Sequence, residues 1–137
     1  MRETYQVQKE DFANAGKVSS HIKTTLKQLG VEPALLRRIA IAVYEAEINM
    51  VIHSDGGAIT MEIDEGSIRF TFADQGPGIA DIEAAMQPGY STANEAAREF
   101  GFGAGMGLPN IQRNSDSFDI QSSPAGTILN LSYEVNP

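Results

Sequence analysis

The chain contains no cysteine and no tryptophan, has two histidines, and carries 10 Lys and Arg against 18 Asp and Glu, a net charge of -8. Without cysteine there is no disulfide framework, no thiolate zinc site and no cysteine nucleophile. Two histidines and no HExxH pattern argue against a histidine-built metal centre. The deficit of Lys and Arg argues against general nucleic-acid binding, which needs phosphate neutralisation, and against docking on anionic lipid. Neither nucleic acid nor membrane is therefore an expected partner. No apolar run approaches the roughly 18–20 residues of a membrane span, and the opening MRETYQVQKEDF lacks a signal-peptide core. The composition, 42% apolar and 20% charged over 137 residues, suits one cytoplasmic globular domain spanning 1–137, large enough to bury a core.

Weak alternation over residues 3–8 predicts an edge strand. Phe12, Ala15, Val18, Ile22 and Leu26 have helical spacing, predicting a helix over 11–29 that Gly30 terminates. A second helix is expected to open near Pro33 and stop before Gly56-Gly57, since proline is tolerated in a first turn. Its middle, 39–44, is apolar all round, which predicts burial on more than one side. Strands over 58–63 and 67–73 around Asp64-Glu65-Gly66 read as a hairpin. Residues 80–104 are weakly patterned, and so long a stretch inside a compact domain is usually functional or mobile. A short helix over 108–114 and a closing hairpin, 117–121 with 127–133, complete the order β-α-α-β-β-α-β-β. That order indicates α+β: a two-layer sandwich in which a mixed, mostly antiparallel sheet is covered on one face by helices.

Three clusters could carry chemistry. Glu45, Asn49 and His53 recur every four residues, so they lie within an arc of ~80° on one helix face. They form either a solvated stripe or a polar strip facing a cleft, where an amide oxygen and a carboxylate suit Mg²⁺ or water. Glu47 sits ~160° from Glu45 around the axis and is expected to be an ordinary surface or interface residue. Asp74 follows the apolar strand IRFTFA and precedes Gln75-Gly76-Pro77-Gly78. It either initiates a turn or accepts a hydrogen bond from a ligand amino group, with Gly76 and Gly78 allowing a flat ring close to the backbone. In 101–107 glycine occupies every second position. The pattern fits neither a Rossmann fingerprint nor a Walker A loop. It is either a flexible tether or a phosphate cradle leading into a helix N-terminus at Leu108-Pro109-Asn110.

Taken in order, these features resemble the Bergerat-type ATP fold of the sensor histidine kinases, DNA gyrase, the Hsp90 chaperones and MutL. EAEINMVIH is similar to its N box, DQGPGI to its first glycine box, GFGAGMGLPNI to its second, and AGTILNL to its late Gly-Thr element. Size and the spacing Glu45-x3-Asn49-x3-His53 most resemble bacterial anti-sigma regulatory factors with serine/threonine kinase activity. That resemblance implies ATP and Mg²⁺ as ligands. Asn49 would coordinate Mg²⁺, and Glu45 would orient or deprotonate the acceptor hydroxyl. His53 would belong to the nucleotide site, and Asp74 would take the adenine amino group beside Gly76, Gly78 and Ile79. Gly103, Gly105, Met106, Gly107 and Leu108 would surround the phosphates, Thr127 would support the adenine end, and 80–104 would be the lid. The implied partner is a small antagonist protein, a sigma factor or another regulatory protein, with a homodimer as a possible assembly. The other function compatible with the same boxes is an ATP-dependent module that sequesters or releases a partner with little catalysis. Two departures from the family pattern stand out: Ser54 where Gly or Ala commonly follows the His, and Asn114-Ser115-Asp116 where apolar residues are expected.

Overall fold

The computed structural model describes residues 1–76, 86 and 107–135. The described elements are β1 (Arg2–Gln8), a 3-10 turn (Phe12–Asn14), α1 (Lys17–Gln28), α2 (Pro33–His53), β2 (Gly56–Ile63), β3 (Ser67–Asp74), α3 (Gly107–Arg113), β4 (Ser117–Ser123) and β5 (Gly126–Glu134). The strands form one sheet in the order β1-β2-β3-β5-β4, and each neighbouring pair is antiparallel. This is the expected α+β arrangement, with β1 at one edge.

Strand alternation fixes which face the helices cover. Ile68, Phe70 and Phe72 of β3 and Leu129, Leu131 and Tyr133 of β5 point inward and are buried. Arg69, Thr71, Ile128 and Asn130 alternate with them on the open face, where Thr71 Oγ1 donates to Asn130 Oδ1 across the strands at 3.0 Å. Such a sheet needs a second layer on one face only. That layer is α2, which packs against β1, β2 and β3 and is flanked by α1 and α3. Ile39, Ala42 and Val43 are fully buried, whereas Ile41 and Tyr44 remain 39% and 40% exposed. The apolar middle of α2 is thus covered on several sides and open on one.

Helix boundaries follow local chemistry. Gly30 takes φ 84°, and the Gly30 and Val31 N–H groups donate to the carbonyls of Lys27 and Leu26. This is a Schellman ending for α1. Pro33 opens α2 and the Glu32 carboxylate accepts from the Ala34 and Leu35 N–H groups. The expected helix over 11–29 is shorter than its pattern suggested. Phe12–Asn14 is a 3-10 turn, and Gly16, at φ 93°, lets the chain turn before α1 starts at Lys17. A Cβ at Gly16 would come 3.1 Å from the Tyr44 ring of α2.

Candidate functional site

Glu45 and Asn49 lie one turn apart on the flank of α2 that faces α3. The first residue of α3 is Gly107, where a Cβ would sit 2.9 Å from Asn49 Oδ1 and 3.1 Å from Nδ2. With no Cβ at this position the α3 backbone approaches the amide closely without displacing it. One turn along α3 is Asn110, whose side-chain amide favours the charged form of Glu45. Glu45 is half-buried. Loss of water pushes its carboxyl above the ordinary range, and the Asn110 amide pulls it back. Beyond α3, Arg38 Nη2 meets Asp116 Oδ1 at 2.8 Å. As residue number rises along α3 the partner number on α2 falls, so the two segments run antiparallel in register.

A second cluster forms at the end of β3. Asp74 Oδ1 accepts the Thr127 backbone N–H at 2.9 Å, and the Thr127 and Ser122 hydroxyls pair at 2.8 Å. Burial raises the Asp74 carboxyl above its ordinary range; the Thr127 N–H opposes this, and the charge of Asp55 adds to it. The backbone here is crowded. A Cβ at Gly126 would fall 2.1 Å from the Asp74 carbonyl oxygen, and one at Gly57 would fall 2.7 Å from Asp74 Cα and 2.9 Å from Met50 Cε. The end of α2 therefore abuts the Asp74 cluster through Met50, the neighbour of Asn49. The Gly76 N–H donates to the Ala125 carbonyl at 2.7 Å, and a Cβ there would fall 2.7 Å from the Pro124 carbonyl oxygen, so the β4–β5 turn favours glycine with or without a ligand. The Leu108 side chain is buried in the core, which leaves only its backbone to face a phosphate.

Glu47 corrects the expectation of an ordinary surface residue. It is 2% exposed, and its carboxylate accepts the N–H groups of Gly16 at 3.0 Å, Val18 at 3.3 Å and Ser19 at 2.8 Å. These are the orphan donors at the start of α1, which has no side-chain cap of its own. The helical angle placed Glu47 away from Glu45, and α1 occupies that other flank. The signal in the sequence was a helix start, Gly16-Lys17-Val18, with no Ser, Thr, Asp or Asn in the cap position. Both departures from the family pattern also have local roles. Ser54 Oγ donates to the Met50 carbonyl at 2.6 Å and accepts the Gly56 N–H at 3.0 Å, closing α2. Asn114 Nδ2 and Ser115 Oγ donate to carbonyls of α3 at Asn110 and Ile111. Asp116 accepts the Glu134 N–H at 2.9 Å. That hydrogen bond, with the Arg38 guanidinium, holds its carboxyl below the ordinary range.

The remaining expected site positions, Gly78, Ile79, Gly103, Gly105 and Met106, and the lid over 80–104 apart from Met86, lie outside the described residues. His53 closes α2, and its side chain is likewise outside them. Among the described residues no helix is long and apolar enough to cross a membrane.

The described geometry is an α+β domain in which a polar flank of a long helix faces a helix that begins at Gly107, with Asp74 at a neighbouring strand end. The sequence matches the histidine kinase-like ATPase domain family over residues 9–133, and the chain belongs to that family. Membership implies ATP as the ligand. Similar proteins include the serine/threonine-protein kinase RsbT of Bacillus subtilis, 33% identical over 73% of this chain and 72% of its own length. The anti-sigma F factor of Heyndrickxia coagulans is 38% identical over 65% of this chain. The match spans 63% of that relative, just under two thirds. Among solved structures, the RsbU and RsbW domains of a Mycobacterium tuberculosis protein superpose with TM-score 0.64 at 17% identity, covering 98% of this chain and 33% of theirs. The mycobacterial sensor histidine kinase MprB gives 0.56 at 16% identity, covering 100% of this chain and 99% of its own. At those identities the likeness is one of fold.

Proposed function

We propose that this protein is a Mg²⁺-dependent protein-serine/threonine kinase of the anti-sigma type, transferring the γ-phosphate of ATP to a Ser or Thr of a small regulatory partner. The observation that carries this reading is Glu45: a half-buried carboxylate one turn from Asn49, on the flank that meets α3. Binding a nucleotide needs Asp74, the glycines and Asn49; orienting an incoming hydroxyl needs a carboxylate in addition. The polar groups of the site fit both ligands. Asp74 has a second carboxylate oxygen for an amino group, and the Asn49 amide oxygen is a hard ligand of the kind Mg²⁺ takes. Mg²⁺, when bound, would offset phosphate charge in a protein of net charge -8. Incubation with labelled ATP and candidate partners encoded nearby tests the proposal, which requires label on Ser or Thr. The names of the anti-sigma F factor relatives support a second reading, in which the chain binds and releases a partner under ATP control with little turnover. Partner binding without any transfer would select it.

Two expected results bear on the site. Asp74→Asn should weaken ATP binding by roughly ten-fold or more, because a charge-assisted hydrogen bond worth about 1.5–3 kcal/mol is lost. The asparagine oxygen still accepts the Thr127 N–H, so the fold is kept while an amide donor confronts the adenine amino group. GTP affinity should change little, and calorimetry showing equal ATP affinity in the variant removes Asp74 from the site. Second, ATP should bind markedly more weakly in excess chelator than in Mg²⁺. Equal affinity in the two conditions would mean that Asn49 holds no ion.

A further inference from the structure

We propose that Ser122 is a positioning residue for adenine recognition: by donating its hydroxyl proton to Thr127 Oγ1, it leaves the Thr127 proton for the ring nitrogen N1 beside the adenine amino group. This rests on the reading of Asp74 as the group that takes that amino group. The register of the closing hairpin brings the two hydroxyls together. Pro124 and Ala125 form the turn, which places Ser123 opposite Gly126 and Ser122 opposite Thr127. Strand alternation puts Thr127 in the inward row with Leu129, Leu131 and Tyr133, and Ser122 in the inward row with Phe118 and Ile120. Each row is otherwise apolar and ends in a hydroxyl, and the two hydroxyls meet at 2.8 Å. The hairpin is also fixed against the end of β3. The Thr127 N–H donates to Asp74 Oδ1 at 2.9 Å, the Gly76 N–H donates to the Ala125 carbonyl at 2.7 Å, and a Cβ at Gly126 would fall 2.1 Å from the Asp74 carbonyl oxygen.

Thr127 is buried, so its hydroxyl needs a fixed partner. A threonine hydroxyl carries one proton and rotates to suit its neighbours. In the Ser122–Thr127 pair one oxygen gives a proton and the other receives it. With Ser122 as the donor, the Thr127 proton and the second Asp74 oxygen present a donor beside an acceptor. Adenine presents the complement, an acceptor at N1 beside a donor at its amino group. Guanine presents the reverse, a donor at N1 beside an acceptor at O6. The direction of one hydroxyl pair thereby becomes a device for selecting the base. Nearby serines are committed to the backbone instead. Ser54 Oγ joins the Met50 carbonyl to the Gly56 N–H, and Ser123 Oγ accepts the Ala125 N–H.

The test is calorimetric titration of the full chain with ATP and with 1-deaza-ATP, in which a C–H replaces N1. Ser122→Ala should weaken ATP about three- to ten-fold, the effect of one misdirected hydrogen bond, and should shift 1-deaza-ATP by less than about two-fold. Ser122→Thr keeps the hydroxyl and suits a strand, so its ATP affinity should stay within about two-fold of the wild type. In a Thr127→Val background, Ser122→Ala should cause no further loss of ATP affinity, because the two side chains act as one unit. Equal losses for ATP and 1-deaza-ATP, the mark of a general disturbance of the hairpin, overturn the proposal. So does a Ser122→Thr variant no better than Ser122→Ala. Asp74→Asn separates the two readings. If it weakens ATP while Ser122→Ala does not, the Ser122 assignment alone falls; if neither variant weakens ATP, the adenine site is not at Asp74.

Discussion

Glu45→Ala is expected to cut phosphate transfer to the partner by about 10²–10⁴-fold while ATP affinity stays within a few-fold of the wild type. Phosphoryl transfer depends mostly on positioning and charge stabilisation, and the protein's part is to orient the nucleophile. Under the proposed reading Glu45 acts from its face of α2, whereas the Asp74 and Gly107 contacts are made without it. Binding and chemistry therefore separate in this one variant. Glu45→Gln, which keeps the shape and removes the charge, should be impaired nearly as much. Single-turnover transfer and nucleotide titration on the same preparation decide the point, and a normal transfer rate in Glu45→Ala would leave the ATP-controlled binding module as the better description.

Glu47→Ala should act quite differently, costing about 3–5 kcal/mol of folding stability. The variant strands the N–H groups of Gly16, Val18 and Ser19, each worth roughly 1–3 kcal/mol when buried and unmet, and leaves a void behind. It also removes a negative charge from the positive end of α1. Glu47→Gln, with one acceptor oxygen left, should lose about half as much. Urea unfolding measures both, and a loss below about 1 kcal/mol in Glu47→Ala would show that water replaces the carboxylate at little cost. Two glutamates one residue apart on either side of Ala46 thus do unrelated work because α2 is a divider: its two flanks face different helices.

Why one glutamate was legible and the other was not follows from what a sequence encodes locally. Gly30, Pro33 and the alternation of Ile68, Phe70 and Phe72 each act on their own neighbourhood, and the elements they predict are present within one or two residues. The four-residue spacing of Glu45 and Asn49 is equally local. What lies opposite a helix face is not. The angle of Glu47 excludes it from the Glu45 strip, yet nothing in that angle says that α1 starts there. The expected helix over 11–29 began too early for the same reason: its apolar spacing holds through Phe12 and Ala15, but Tyr44, from another helix, fills the space beside Gly16, and α1 starts at Lys17.

The capping of α1 has a kinetic consequence. A helix normally carries its own start signal, but here the acceptor for its first amides comes from 28 to 31 residues downstream. The twelve residues of α1 are too few to persist alone in water. They must wait until α2 has formed and presents Glu47, which makes α1 a late-consolidating segment with low φ-values. The destabilisation caused by Glu47→Ala should then appear mainly as faster unfolding with nearly unchanged refolding.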